Sequence, residues 1–271
     1  MRAATPLDQP RAIGAAAVSS KAGPYGSCID GLRQSGALKM LFPQGRDALE
    51  AIVINTAGGV TGGDNFTIDA TSGDDSHLSL TTQAAERGYK AQSGQIGCIR
   101  TTLRAKSGST LFWLPQETIL YDGARINRTL SVDLEPSARF LMVEPILFGR
   151  RAMSEDVHDI TFHDRIDIRQ AGVPIYKDGI NLTGNVARQL DRPAIANGAR
   201  AIASVLCVMP NASGQLAPLR DLLGDAGGVS LLREDLLTLR LLAEDGFYLR
   251  QALLPVLDHL SNNSLPLSWR L

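Results

Sequence analysis

Ile160-Thr161-Phe162-His163-Asp164-Arg165-Ile166-Asp167-Ile168-Arg169 alternates apolar and polar side chains along its whole length. The even positions are Ile160, Phe162, Ile166 and Ile168, with Asp164 as the one exception; the odd positions are all polar. A repeat of two is the spacing at which one side of an extended chain faces a core, so this segment reads as a half-buried strand. Residues 126–134 do the same, with Ile126, Leu130, Val132 and Leu134 on one side. Shorter candidates at residues 48–55, 65–70, His77–Thr82, 99–103, 111–114 and 139–143 recur about every ten to fifteen residues, between clusters of Gly, Ser, Asp and Pro. That spacing predicts a mainly β, layered, antiparallel-rich architecture.

The character changes near Asp191. Leu216–Leu223 fits a short helix, and residues 231–242 are leucine-rich enough for either state. Residues 247–260 place Leu249, Leu253, Leu257 and Leu260 on one helical stripe, with Pro255 expected to kink the helix or end it early. Residues 262–271, with Pro266 and Trp269, read as an extended tail. The expectation is one domain over residues 1–271: a β-rich portion at 11–190, then a mixed portion at 191–271 with a C-terminal helix and tail.

At 271 residues, with 44% hydrophobic and 20% charged residues, the chain has ordinary globular composition. Its net charge of -1 offers no basic field to a phosphate backbone, which argues against nucleic acid. No uninterrupted apolar run reaches the roughly 20 residues of a membrane span, and Pro6, Asp8 and Pro10 break up any secretory leader. Cys28, Cys98 and Cys207 are distant and odd in number, which fits a reducing compartment. A cytoplasmic protein is expected. His77, His158, His163 and His259 are scattered, and solvent-facing histidines are the expectation for them. No P-loop, G-x-S-x-G, H-E-x-x-H or C-x-x-C occurs, so neither nucleotide hydrolysis nor a familiar hydrolase or zinc site is indicated.

Four segments remain. Asn55-Thr56-Ala57-Gly58-Gly59-Val60-Thr61-Gly62-Gly63-Asp64 is a glycine-rich loop ending on a carboxylate. It reads either as a turn whose Asp64 caps its own backbone or as an acidic contact point for a cation or partner. Thr81-Thr82-Gln83-Ala84-Ala85-Glu86-Arg87-Gly88-Tyr89-Lys90 ends a strand with hydroxyls, an amide and a basic-aromatic pair. Residues 114–124 carry Glu117 and Asp122 in a stretch otherwise suited to burial. Glu144 sits in the apolar run 140–148, ahead of Gly149-Arg150-Arg151-Ala152-Met153-Ser154-Glu155. A lone buried charge is expensive, so Glu144 must be paired, hydrogen-bonded or neutral; Arg150 or Arg151 is the expected partner.

Together these segments resemble the urease accessory protein UreD family, also called UreH. They match its N-x-x-G-G-x-x-G-G-D, T-T-Q-A-x-x-[KR]-x-Y-[RK], L-P-Q-E-x-I-x-x-x-x-A and G-R-x-A-x-G-E patterns in order, and the tail through Trp269 agrees. Ser154 departs from the last glycine, and Gly88 would weaken a helix at its place. The resemblance implies a layered, helically wound β fold with a few helices toward the C-terminus. It implies a non-enzymatic chaperone for nickel insertion into urease, in a complex with UreF, the GTPase UreG and apo-urease, with a nickel metallochaperone acting indirectly. No cofactor is expected to stay bound; nickel is expected in transit. His and Cys sites hold nickel tightly, whereas carboxylates and carbonyls hold it loosely, so sparse acids suit passage better than storage. Asp64, Glu117 and Glu144 are the expected lining, with Asp122 and Glu155 behind them. Thr81, Thr82, Gln83, Tyr89, Arg150 and Trp269 are the expected contact or motif residues. Two rivals stand beside this reading: a pure interaction scaffold with no direct nickel contact, and a hydrolase using Glu117 with Asp122.

Overall fold

The computed structural model describes residues 10–44, 47–150, 153 and 155–270. The alternating segments are strands that pass back and forth between two sheets. In chain order they are β1 (Ile13–Gly23), β2 (Gly26–Gly36), β3 (Leu38–Leu41), β4 (Leu49–Asn55), β5 (Asn65–Ser72), β6 (His77–Thr82) and β7 (Glu86–Gly88). Then come β8 (Gly97–Ala105), β9 (Thr110–Leu114), β10 (Thr118–Leu120), β11 (Arg125–Leu134), β12 (Arg139–Phe148), β13 (Ile160–Gln170) and β14 (Val173–Gly184). The C-terminal part adds α1 (Val186–Leu190), β15 (Ala201–Val208), α2 (Leu216–Leu223), β16 (Gly227–Arg233), β17 (Leu236–Ala243) and α3 (Gly246–Ser261).

One sheet runs β14-β13-β11-β8-β5-β1-β2, and the other β16-β17-β15-β12-β9-β6-β4-β3, with β10 and β7 joined to it through β12. From β4 to β13 the chain winds, each turn laying one strand in each sheet. A chain that re-enters a sheet once per turn always runs the same way, so β5, β8, β11 and β13 pair in parallel, as do β4, β6, β9 and β12. The mainly β, layered, helically wound reading is what the structure has. The antiparallel part of it is confined to the flanks: β1–β2, β3–β4, β13–β14 and the β12-β15-β17-β16 run. Alternation misleads here because the outer face of the first sheet is solvated, so its parallel strands carry the half-buried pattern usual for antiparallel ones.

The core between the sheets takes the even positions of β13 and β11, among them Ile160, Phe162, Ile126 and Leu130, against Phe140, Met142 and Leu80 from the other sheet. The second sheet is buried on its other face too. Leu141, Val143, Val205 and Leu239 pack there against Leu249, Leu253 and Leu257 of α3 and against Trp269. That double burial explains why residues 140–148 are apolar almost without a break.

α2 covers the residues expected for it, and 231–242 resolve as the strand pair β16–β17. Pro255 does not end α3, which continues to Ser261. Pro255 is exposed, while the buried Leu253, Val256, Leu257 and Leu260 anchor the helix on both sides of it. The tail is not extended throughout: Leu267–Arg270 form a 3-10 turn that buries Trp269. Among the described residues no helix is long and apolar enough to cross a membrane.

Candidate functional site

The one polar residue on the apolar face of β13 and the one on that of β11 lie opposite each other. Asp164 is the register partner of Arg128, and the guanidinium grips it bidentately, Nε to Oδ1 at 2.9 Å and Nη2 to Oδ2 at 2.7 Å. Across the inter-sheet space Arg128 Nη1 lies 2.6 Å from Glu144 Oε2 of β12 and donates to Thr118 Oγ1 of β10 at 3.1 Å. Trp113 Nε1 of β9 donates to Glu144 Oε1 at 2.8 Å. The guanidinium also lies 5.5 Å from the Phe162 ring centroid. All three charged groups are buried. Burial raises the Glu144 carboxyl above the usual range; Arg128 opposes that and Asp164 adds to it. Burial works against the Arg128 charge as well, but Asp164 and Glu144 more than offset it and hold the guanidinium protonated.

Glu144 therefore pairs with Arg128 and not with Arg150, which is bound bidentately by Glu155 at 2.7 and 3.0 Å and lies over the Tyr121 ring. Arg151 and Ser154 fall outside the described residues. Neither Arg128 nor Asp164 was among the sequence candidates, yet each was visible as a charge interrupting an apolar strand face.

A second polar feature lies at a cavity of about 220 Å3 whose walls include Asn55, Gly58, Phe66, Thr82, Gln83 and Glu86. Glu86 is the first residue of β7, a short strand paired with β10, and its register partner is Thr118. Asn55 Nδ2 donates to both Glu86 oxygens at 3.2 Å and to Gly59 O at 2.9 Å, tying the glycine loop to the strand. Burial raises the Glu86 carboxyl, and the Asn55 amide opposes it only in part. The loop needs Gly59: its φ is +155°, and a Cβ there would stand 2.3 Å from the Tyr89 ring. Gly88 lies in β7 rather than in a helix, where a Cβ would meet Ile126 Cδ1 at 2.7 Å. From Glu86 through Thr118 to Arg128 and Glu144, polar side chains run from the cavity into the space between the sheets.

The other sequence candidates are tied into their local surroundings. Asp64 accepts from Ala12 N and Thr61 N, both at 2.8 Å, so it clasps its own loop to β1. Asp122 accepts from His158 N at 2.7 Å and Asp159 N at 2.8 Å. Glu117 lies 3.8 Å from Arg250, whose guanidinium also donates to Gln116 Oε1 at 2.9 Å and to Trp269 O at 2.8 Å. Thr81 Oγ1 is 3.3 Å from Ser268 Oγ, and Thr82 Oγ1 accepts from Gln116 N at 2.9 Å. Gln83 N donates to Val53 O at 3.0 Å. Tyr89 donates to Gly58 O at 3.3 Å and meets Tyr121 edge-on. Trp269 Nε1 donates to Leu114 O at 2.9 Å. Among the described residues no group of three or more His, Cys, Asp or Glu is placed to hold a metal ion.

The family patterns thus meet in space: the glycine loop, β7, Tyr89, Tyr121 and Arg150 share one end of the winding. A family model described as UreD urease accessory protein matches residues 13–269. The chain belongs to the UreD family. It is similar to the urease accessory protein UreD of Roseobacter denitrificans, at 63% identity over all of this chain and 99% of that one. It is similar to that of Ruegeria pomeroyi at 50%, over 90% of this chain and 95% of the relative. With that of Agrobacterium fabrum it shares 39%, over 98% and 94%. Membership places the chain among proteins accessory to urease.

Proposed function

We propose that this chain serves urease maturation as a non-enzymatic scaffold between apo-urease and a UreF–UreG assembly, and that it passes nickel along the polar line between its sheets. One observation carries the reading: the family-pattern residues Asn55, Thr82 and Gln83 converge on one cavity with Glu86, whose carboxylate stands in register with Thr118 and so with the Arg128–Glu144–Asp164 group. Loose oxygen donors without an imidazole or thiolate cage suit a cargo that must leave. Nickel is the cargo here and not a resident cofactor; the partners and the ion are carried by family resemblance, and a cytoplasmic setting follows from theirs. The test is co-expression of urease with Glu86→Gln and Glu144→Gln variants, with nickel per urease and retention of the complex measured together. Nickel loading falling several-fold with the complex intact is the expected result. Full loading in both variants, with the complex intact, ends the conduit assignment.

The interaction-scaffold reading is favoured for four of the acids by a separate observation. Asp64, Asp122 and Glu155 already have donors on their carboxylates, and Glu117 sits beside Arg250. Substituting these residues by Ala should lower nickel loading only in proportion to lost partner binding.

A further inference from the structure

On the outer face of the second sheet α3 lies mainly over β12, β15 and β17. Beside the C-terminal end of α3, over β4, β6 and β9, lies an open cavity of about 480 Å3. Its polar walls include Asp47, Glu50, His77, Ser79 and Arg139, with Thr110 beside them and Ser261, Asn262 and Ser264 at the α3 end. They come from a regular arrangement. Glu50 of β4 is the register partner of Ser79 of β6; His77, two residues before Ser79 and on the same face, partners Thr110 of β9, which partners Arg139 of β12. Arg139 and Glu144 lie at odd and even positions of one strand, so the cavity and the inter-sheet network are on opposite faces.

Among the described residues the side chains of Asp47, Glu50, His77, Ser79 and Arg139 make no hydrogen bond or ion pair. Glu50 Oε1, His77 Nε2 and Ser79 Oγ are buried and without a partner. Ser79 is only 4% exposed. Buried polar atoms are almost always satisfied, so three orphans lining one space need an explanation. The His77 ring is held edge-on by Phe112 at 4.8 Å, and burial, aided by Arg139, lowers its pKa to about 4, so it is a neutral imidazole able to donate or accept. Charge is polarised across the cavity: the guanidinium flanks it at β12, the carboxylates of Glu50 and Asp47 flank it at β4, and neutral donors lie between. Strands about 4.8 Å apart put three strand spacings between these flanks. Once side-chain reach is subtracted, the gap suits one small molecule with opposite charges a few ångströms apart. A bare anion would leave the carboxylates unmet, and a bare cation would face Arg139.

We propose that this cavity binds a free α-amino acid. Its carboxylate lies against Arg139 with His77 and Ser79 donating, and its ammonium group meets Glu50 and Asp47. Four histidines make the site observable: in the full-length protein with labelled histidine, the His77 imidazole signal is assigned by loss in His77→Gln, and the signals of His158, His163 and His259 serve as internal controls. Each free protein amino acid is titrated in turn, together with the N-acetyl and carboxamide forms of any that respond, and with acetate. At least one amino acid should shift the His77 signal saturably at about 10 mM or below, with each blocked form at least about tenfold weaker. Arg139→Gln should remove the preference over the carboxamide, and Glu50→Gln the preference over the N-acetyl form, while the control histidines stay put. The proposal is overturned if no amino acid shifts His77, if acetate alone reproduces the shift, or if the two variants, folded by the control signals, bind as the parent does.

Discussion

Replacing Arg128 by Met tests whether the charged group between the sheets is held together by one guanidinium. The substitution keeps most of the side-chain volume and removes the bonds to Asp164 at 2.9 and 2.7 Å, to Glu144 at 2.6 Å and to Thr118 at 3.1 Å. Two buried carboxylates then face each other without a counter-charge. Breaking a buried pair from one side costs roughly 3–5 kcal/mol. At about 2–3 °C per kcal/mol for a chain of this size, the Tm should fall by roughly 6–15 °C. A compensated variant, Arg128→Met with Glu144→Gln and Asp164→Asn, removes the stranded charge and should recover at least half the loss. The single variant should also be rescued by acid. Its Glu144 carboxyl lies above its unfolded pKa, so the folded state binds more protons than the unfolded one, and stability rises as pH falls from about 8 toward 5. Thermal unfolding followed by near-ultraviolet circular dichroism at both pH values measures all three effects. A Tm loss under about 2 °C, or a triple variant no better than the single one with no acid rescue, refutes the reasoning.

Asp64→Ala leaves the Ala12 and Thr61 amides without their acceptor and should cost about 1–3 kcal/mol by urea unfolding, with Asp64→Asn closer to the parent; an unchanged midpoint would mean the clasp is idle. Trp269→Ala empties a fully buried site and should cost about 3–5 kcal/mol, whereas Trp269→Phe, which loses mainly the bond to Leu114 O, should cost about 1–2; equal losses would show that the hydrogen bond and not the packing matters. The His77 imidazole should titrate near 4 by NMR. Because the folded pKa is depressed, the folded state binds fewer protons than the unfolded, so this contribution is present above the ordinary histidine pKa and is lost as pH falls from about 6.5 toward 4; a midpoint above 6 contradicts the burial argument.

The strands with a regular repeat of two were legible because their two faces meet different media. Residues 126–134 and 160–169 match β11 and β13 almost end to end. Strand direction was not legible, since register between turns of the winding is set by residues some thirty apart and leaves no local mark. β1 and β2 escaped notice for a different reason: their small residues, as in Ile13-Gly14-Ala15-Ala16-Ala17, carry little hydrophobic contrast. At the site, Glu144 was recognisable as an acid needing a partner, but the partner was sought among sequence neighbours. The better clue was Asp164 itself, with Arg128 at the matching place in another alternating segment. His77 was expected to face solvent; instead its ring is partly buried and meets Phe112 edge-on. For Asp64, sequence left a cap and a contact point both open, and the two backbone amides on its oxygens describe the cap.

Trp269 reaches Leu114 across 155 positions of chain. During synthesis this has a consequence of timing. When β12, β15 and β17 have left the ribosome and paired, Leu141, Val143, Val205 and Leu239 form one apolar wall, and of the elements that cover it only α2, through Leu219 and Leu223, has yet been made. α3 and the turn that carries Trp269 emerge afterwards, and only then is the wall shut. For that interval the nascent protein exposes a sticky sheet face, the kind of surface that holdase chaperones capture and that drives misassembly when many copies are made at once. Slow translation after β17 would prolong the hazard, and yield in overexpression should follow how quickly the last turn arrives.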